Sequence, residues 1–115
     1  WGLLEFNENI SQYTGSLGYT NLTENIIGRD ITITGYPGEK YYAMYTMDGN
    51  IIYSDEHELY YKIDTTGGQS GSPVYLSDED EDRNVAVGIH TRFAGDYNLG
   101  TKRNASLYNY MKQFK

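Results

Sequence analysis

Ser70 lies in the run Ile63-Asp-Thr-Thr-Gly-Gly-Gln-Ser-Gly-Ser-Pro-Val74, where three glycines and two serines fall within eight positions and Pro73 closes the loop. Such a run describes a tight turn that displays one side chain and several backbone N–H groups. Glycines on both sides of Ser70 let the amides of Gly68, Gln69 and Ser70 turn toward a common point, an anion-accepting nest of the kind that stabilises a tetrahedral oxyanion. A serine sitting inside its own oxyanion hole is what acyl transfer needs. The plainer reading of the same residues is a Gly/Ser connection between two strands. The other familiar serine signature, G-x-S-x-G, fails because Ser72 stands where its last glycine would be, and no strand-to-helix pattern surrounds it.

A serine hydroxyl has too high a pKa to attack unaided at neutral pH, so a histidine base oriented by a carboxylate must lie within reach. The chain holds two histidines. His57, in Asp55-Glu-His-Glu58 between two strands, reads as a surface residue. His90 ends the apolar strand Val85 to Ile89, a position where a generic chain more often carries a satisfied structural imidazole than a functional one. The acidic run Asp78 to Asp82 offers carboxylates that suit a hard cation, but it lacks the Asp-x-Asp-x-Asp-Gly spacing of a calcium loop and reads as a solvated hairpin tip. No metal and no cofactor is expected.

The elements that must position Ser70 are strands. Thirteen tyrosines, thirteen glycines and many Thr, Ile and Val positions in 115 residues favour strands joined by turns, an all-β chain with one modest core. Period-2 alternation marks Asp30 to Tyr36, broken at Gly35-Tyr36-Pro37-Gly38. Tyr41 to Met47 and Ile51 to Tyr53 flank Asp48-Gly49-Asn50, which reads as a hairpin turn. Leu59 to Ile63, Pro73 to Leu76 and Val85 to His90 follow. Trp1 to Phe6 reads as a short apolar strand with Leu3, Leu4 and Phe6 as core contacts, and Asn7 to Asn25 as a polar crossing segment ending in a first short strand. From Asn104 the pattern becomes helical, with Leu107, Tyr110 or Met111, and Phe114 at helical spacing behind an asparagine cap.

A net charge of −7 argues against nucleic acid or an anionic membrane as partner, since both need a basic footprint. The absence of cysteine excludes a disulfide scaffold, a cysteine nucleophile and thiolate metal sites. Asn9-Ile-Ser11, Asn21-Leu-Thr23 and Asn104-Ala-Ser106 fit the glycosylation sequon, a pattern that chance supplies readily in so Asn-rich a chain.

Gly-Gly-Gln-Ser-Gly-Ser-Pro-Val resembles the nucleophile segment of the chymotrypsin-fold serine endopeptidases, in the subgroup of glutamyl endopeptidases. Ile31-Thr-Ile-Thr-Gly-Tyr-Pro-Gly-Glu-Lys40, Val87-Gly-Ile-His90 and the opening Trp1-Gly-Leu-Leu-Glu-Phe6 agree with the same family in order and spacing. The resemblance implies a chymotrypsin-like antiparallel β-barrel, the second barrel of a two-barrel serine protease, ending in a helix. On it, residues 1–14 are the last strand of the first barrel and the crossing linker, 15–103 the second barrel, and 104–115 the helix packed on that barrel. Ser70 becomes the nucleophile, with Gly68 and Ser70 supplying the oxyanion-hole amides. His90 and Thr65 become the groups that bind a substrate glutamate carboxylate, since an imidazole and a hydroxyl supply the charge-assisted donors a desolvated carboxylate needs.

The family's catalytic aspartate would stand just before Trp1 and its histidine further upstream. The chain alone is therefore expected to be inactive, and its partners are an N-terminal half carrying both groups and a peptide or protein substrate with Glu at the cleaved bond. Secretion is implied by the family. Two alternatives stand beside this reading. Asp64, six residues before Ser70, occupies the place where trypsin-like enzymes carry the aspartate that selects Lys or Arg. The chain would otherwise be a noncatalytic β-barrel module that grips acidic peptide ends through His90 and Thr65. Arg92 is a further cationic neighbour that would favour an acidic side chain. Beyond His90 the continuation Thr-Arg-Phe-Ala-Gly95 departs from the Gly-rich one common in the family, at the edge that pairs with the substrate backbone.

Overall fold

The structure is a computed structural model that describes residues 2–19, 24–78 and 83–114, with no statement attaching to the side chain of Asp78. Trp1, the Asn21 sequon and the acidic residues 79–82 lie outside the described residues.

Seven strands form one sheet: β1 Gly18–Tyr19, β2 Asp30–Gly35, β3 Tyr45–Ser54, β4 Glu58–Lys62, β5 Pro73–Asp78, β6 Arg83–Ala94 and β7 Tyr97–Lys102. Their order is β1-β6-β5-β2-β3-β4-β7, and a further β6–β7 pairing joins the ends. Six strands thus close on themselves with antiparallel pairings throughout, while β1 adds to β6 as a short parallel appendage. Closure removes the sheet edges that an open sheet of this length would expose.

Alternation drives the closure. In β2, Ile31 and Ile33 are buried while Thr32 and Thr34 are half-exposed, and in β4 Leu59 and Tyr61 are buried between Tyr60 and Lys62. These side chains meet Ile51, Val74 and Val87 inside the barrel. Each fully buried aliphatic side chain contributes about 1.5–3 kcal/mol relative to exposure. A short helix, α2 Ala105–Met111, follows β7, its first turn capped by the Asn104 side chain accepting from the Leu107 N–H at 3.0 Å. Leu107 is the buried residue of that helix. Arg103 fastens this end: its Nε donates to the Ala86 carbonyl at 3.1 Å and its guanidinium lies 5.5 Å from the Tyr108 ring centroid.

Three sequence expectations need correction. Asp48-Gly49-Asn50 is no hairpin turn, because β3 runs straight through it and pairs residue for residue with β2. Gly49 is required by packing instead: a Cβ there would collide with the Lys62 carbonyl oxygen and with Ile63 Cγ1. Residues 2–6 form no strand, and Leu3, Leu4 and Phe6 are exposed rather than core, since no described element lies alongside for them to pair with or pack on. The strand after His90 runs on to Ala94 and is answered by β7, whose inward positions include Asn98 and Gly100 and so carry no apolar alternation. Among smaller differences, one helical turn, α1 Ser11–Thr14, interrupts the polar segment.

Candidate active site

Ser70 sits in the turn between β4 and β5, at the level where β6 leaves its pairing with β5. The last β5–β6 partners are Pro73 and Ile89. Past them the ladder continues into the turn, with His90 N–H donating to the Ser72 carbonyl and Gly71 N–H donating to the His90 carbonyl, both at 2.8 Å. The strand carrying His90 is thereby bolted to the two residues that follow Ser70.

The turn owes its shape to glycine at two positions. Gly68 has φ +98° and Gly71 φ +91°, both in the left-handed region that other residues avoid. A Cβ on Gly68 would also lie 2.8 Å from Gly38 N and 3.0 Å from the Tyr36 carbonyl oxygen, so the turn packs directly against the loop after β2. Gly38 N–H donates to the Gly67 carbonyl at 2.7 Å across the same seam. Gln69 holds the turn from inside. Its side chain is 1% exposed, its Oε1 accepts from Thr66 N–H at 2.6 Å, and its Nε2 approaches Met47 Sδ at 3.4 Å.

The amides divide unequally. Gln69 N–H points back to the Thr66 carbonyl at 3.4 Å, so the expected nest of three reduces to two. The N–H groups of Gly68 and Ser70 make no hydrogen bond among the described residues. Ser70 is exposed, and its hydroxyl donates to the Thr91 carbonyl at 3.0 Å. Thr91 is the extra residue of a β-bulge, since His90 pairs with Gly100 and Arg92 with Leu99. Neither histidine hydrogen-bonds to Ser70.

His90 and Thr65 both lie against the middle of β7. His90 is 3% exposed and pairs with Gly100 through its backbone, while its Nδ1 meets the Tyr61 hydroxyl at 2.6 Å. Burial lowers the His90 pKa below the ordinary imidazole value and raises that of the Tyr61 phenol. Thr65 donates from Oγ1 to Asn98 Oδ1 at 2.6 Å, and Asn98 in turn donates to the Ile63 carbonyl. An open cleft of about 500 Å³ runs beside them, walled by Lys62, Ile63, Asp64, Thr65, Phe93, Asp96 and Asn98. His90 is not among the wall residues. Thr65 is, as is Asp64, so the two rival specificity residues share one cleft.

The remaining candidates separate from the site. Arg92 does not serve the cleft as a free cation, because its guanidinium pairs with Glu58 at 2.8 Å on the outer face. His57 is exposed, 4.0 Å from Glu56. Among the described residues no group of three or more His, Cys, Asp or Glu side chains is arranged to hold a metal ion. Sequence reasoning missed Gln69, Tyr61 and Asn98. Alternation in Leu59-Tyr60-Tyr61 was the one available signal for Tyr61; the buried roles of Gln69 and Asn98 depend on partners remote in sequence.

A closed six-stranded antiparallel barrel with a C-terminal helix, carrying a serine on a glycine-built turn, has the architecture of a chymotrypsin-like barrel. A solved structure of a Glu endopeptidase in complex with MPD superposes on 95% of this chain with a TM-score of 0.79 at 29% identity, and the match covers 51% of that molecule. The glutamyl endopeptidase of Bacillus licheniformis is 33% identical over 122 residues, taking in all of this chain and 39% of the relative. That of Staphylococcus epidermidis is 36% identical over 113 residues, 96% of this chain and 36% of the relative. One from Staphylococcus aureus is 33% identical over 111 residues, 95% of this chain and 32% of the relative. No protein-family model matches. The chain is homologous to the glutamyl endopeptidases, and it spans 32% to 39% of the length of these relatives.

Proposed function

We propose that the chain is the nucleophile- and specificity-bearing half of a secreted serine endopeptidase that cleaves after Glu, and less readily after Asp. Ser70 Oγ attacks the scissile carbonyl carbon and passes its proton to a histidine of the partner half. The oxyanion is held by the Gly68 and Ser70 amides. The C–N bond then breaks, the amine leaves with the proton, and water releases the acyl group from Ser70. The observation that carries this reading is the hydrogen-bond pattern of the turn. In a turn where the N–H groups of Thr66, Gln69, Gly71 and Ser72 are engaged, those of Gly68 and Ser70, with Gly67, make no hydrogen bond among the described residues, beside an exposed serine hydroxyl.

Two further features support it. Arg92 to Ala94 pair with β7 on one side only, because the β5–β6 pairing stops at Pro73 and Ile89, which leaves an edge near Ser70 where an extended peptide can add as a strand. Thr65 lines the cleft and His90 lies behind its wall against β7; to bind a carboxylate, the Thr65 hydroxyl would exchange its bond to Asn98 Oδ1 for one to the substrate, and the His90 imidazole would supply the second donor. In this reading residues 1–14 belong with the first barrel, which explains why Leu3, Leu4 and Phe6 lie exposed here. That half supplies the base and its orienting carboxylate, and without it the chain is inactive.

Asp64 and Asp96 in the cleft wall favour a second reading, cleavage after Lys or Arg. A panel of chromogenic peptides differing only in Glu, Gln, Asp, Lys or Arg at the cleaved bond, offered to the chain combined with its first barrel, separates the two. Turnover of the Glu peptide at least tenfold above the Gln and Lys peptides is expected. Preference for Lys or Arg would transfer the specificity to Asp64, and no turnover of any peptide would leave a binding module.

A further inference from the structure

His90 is an awkward ligand for a carboxylate if nothing fixes which of its nitrogens carries the proton. Neutral imidazole is a donor at one nitrogen and an acceptor at the other, and the wrong tautomer would face an incoming carboxylate with a lone pair. The structure answers this through a residue on a strand that is not even next to β6.

Tyr61 belongs to β4, and β7 lies between β4 and β6. The Tyr61 side chain crosses β7 at Gly100, where a Cβ would stand 3.0 Å from the phenolic oxygen, and reaches His90 Nδ1 at 2.6 Å on the far side. The two rings are 5.9 Å apart by centroid, and both residues are buried, at 0% and 3% exposure. The direction of the bond follows from what each group has left. The Tyr61 hydroxyl has no other partner among the described residues, so its proton either goes to Nδ1 or is stranded in the barrel core. Donation to Nδ1 leaves Nε2 as the protonated nitrogen, and Nε2 has no hydrogen-bond partner among the described residues. Burial acts in the same sense on both groups, keeping the phenol protonated and the imidazole neutral.

We propose that Tyr61 is the positioning residue of the specificity site: its hydroxyl donates to His90 Nδ1 across the gap at Gly100, fixing the imidazole as the Nε2–H tautomer and reserving that N–H for the substrate carboxylate. The last clause rests on the function proposed above; the tautomer does not. A neutral donor suits a carboxylate because the hydrogen bond is charge-assisted from the acceptor's side alone. It also makes Gly100 a functional requirement, since a methyl group there pushes the phenol out of line.

The test begins with nitrogen-15 NMR of histidine-labelled 115-residue chain, with exposed His57 as internal reference. His90 is expected to show a protonated Nε2 and an unprotonated Nδ1, with Tyr61→Phe and Gly100→Ala giving a mixture of tautomers. A protonated Nδ1 in the unaltered chain overturns the proposal whatever any assay shows. The second readout is cleavage by the chain combined with its first barrel. Tyr61→Phe should raise KM for the Glu peptide about five- to tenfold with kcat changed less than twofold, and narrow the preference for Glu over Gln. An unchanged KM overturns the positioning role. His90→Gln should abolish the preference for Glu over Gln; its retention would overturn the carboxylate-binding reading of His90 and leave the tautomer result standing. Gly100→Ala, which keeps the hydroxyl but crowds both it and the Ile89 carbonyl oxygen, each 3.0 Å from the added Cβ, should raise KM in the same sense as Tyr61→Phe if both variants fold with the unaltered amide spectrum.

Discussion

The turn from Thr66 to Ser72 and the segment from Gly2 to Phe6 both lack regular structure, yet they are held in opposite ways. The turn is fixed from three directions: by the buried Gln69 side chain, by the Gly38 to Gly67 bond, and by the ladder through His90. The segment makes no hydrogen bond among the described residues and turns Leu4 and Phe6 outward at 84% and 58% exposure. Irregular backbone is rigid when its amides and side chains have partners inside the same fold, and idle when they do not. The difference separates what this barrel fixes by itself, the turn that displays Ser70, from what it leaves uncovered, the apolar side chains of Leu4 and Phe6.

The strongest way to break the contrast is at Gly68. Gly68→Ala places a Cβ at φ +98° against Gly38 N and the Tyr36 carbonyl, so the turn must shift. We expect a stability loss of about 1–3 kcal/mol from the backbone conformation alone. Turnover in the presence of the first barrel should fall roughly 10²-fold or more as one oxyanion donor moves, measured by urea unfolding and by peptide cleavage on the same preparation. Gln69→Leu comes next: it keeps the volume but strands the Thr66 N–H, at a cost of about 1–3 kcal/mol. It should accelerate proteolysis or hydrogen exchange in residues 66–72 before the rest of the barrel.

A smaller effect is expected from pH. His90 has a folded pKa below its unfolded value, so the unfolded chain takes up a proton that the native chain resists as pH falls below about 6.5. Stability contributed by the neutral imidazole is therefore full above that pH and declines as pH falls toward the folded value. Melting temperature measured from pH 7.5 down to 5 should drop more steeply for the unaltered chain than for His90→Gln. Smallest of all, Leu4→Ser and Phe6→Ser should change the stability of the isolated chain by no more than about 0.5 kcal/mol. The same changes should weaken its association with a first barrel, read by titration calorimetry. A large loss in the isolated chain would erase the contrast drawn above.

Much of the site is legible in the sequence because its determinants are local. Gly67-Gly68-Gln-Ser-Gly71 encodes a bend by residue type, and Ile31 and Ile33 encode an inward face by alternation. What the sequence hides depends on neighbours far along the chain. Gly49 looks like a turn glycine and is a packing glycine, because the constraint comes from the Lys62 carbonyl on β4. β7 escapes notice because Asn98 and Gly100 face inward, one to serve Thr65 and Ile63, the other to let Tyr61 through. Thr65 was legible as a position but not as a bonded group, since its acceptor Asn98 is a residue of that same hidden strand.

The central claim is that Ser70 is a nucleophile whose chemistry needs a base supplied from outside this barrel. Its most direct measurement is covalent labelling by a peptidyl phosphonate bearing an acidic side chain, located by mass spectrometry, with the chain alone and with the chain joined to its first barrel. Stoichiometric modification at Ser70 is expected only in the joined protein, abolished by Ser70→Ala. Labelling at another residue, or none under conditions where both halves are folded and associated, would contradict it.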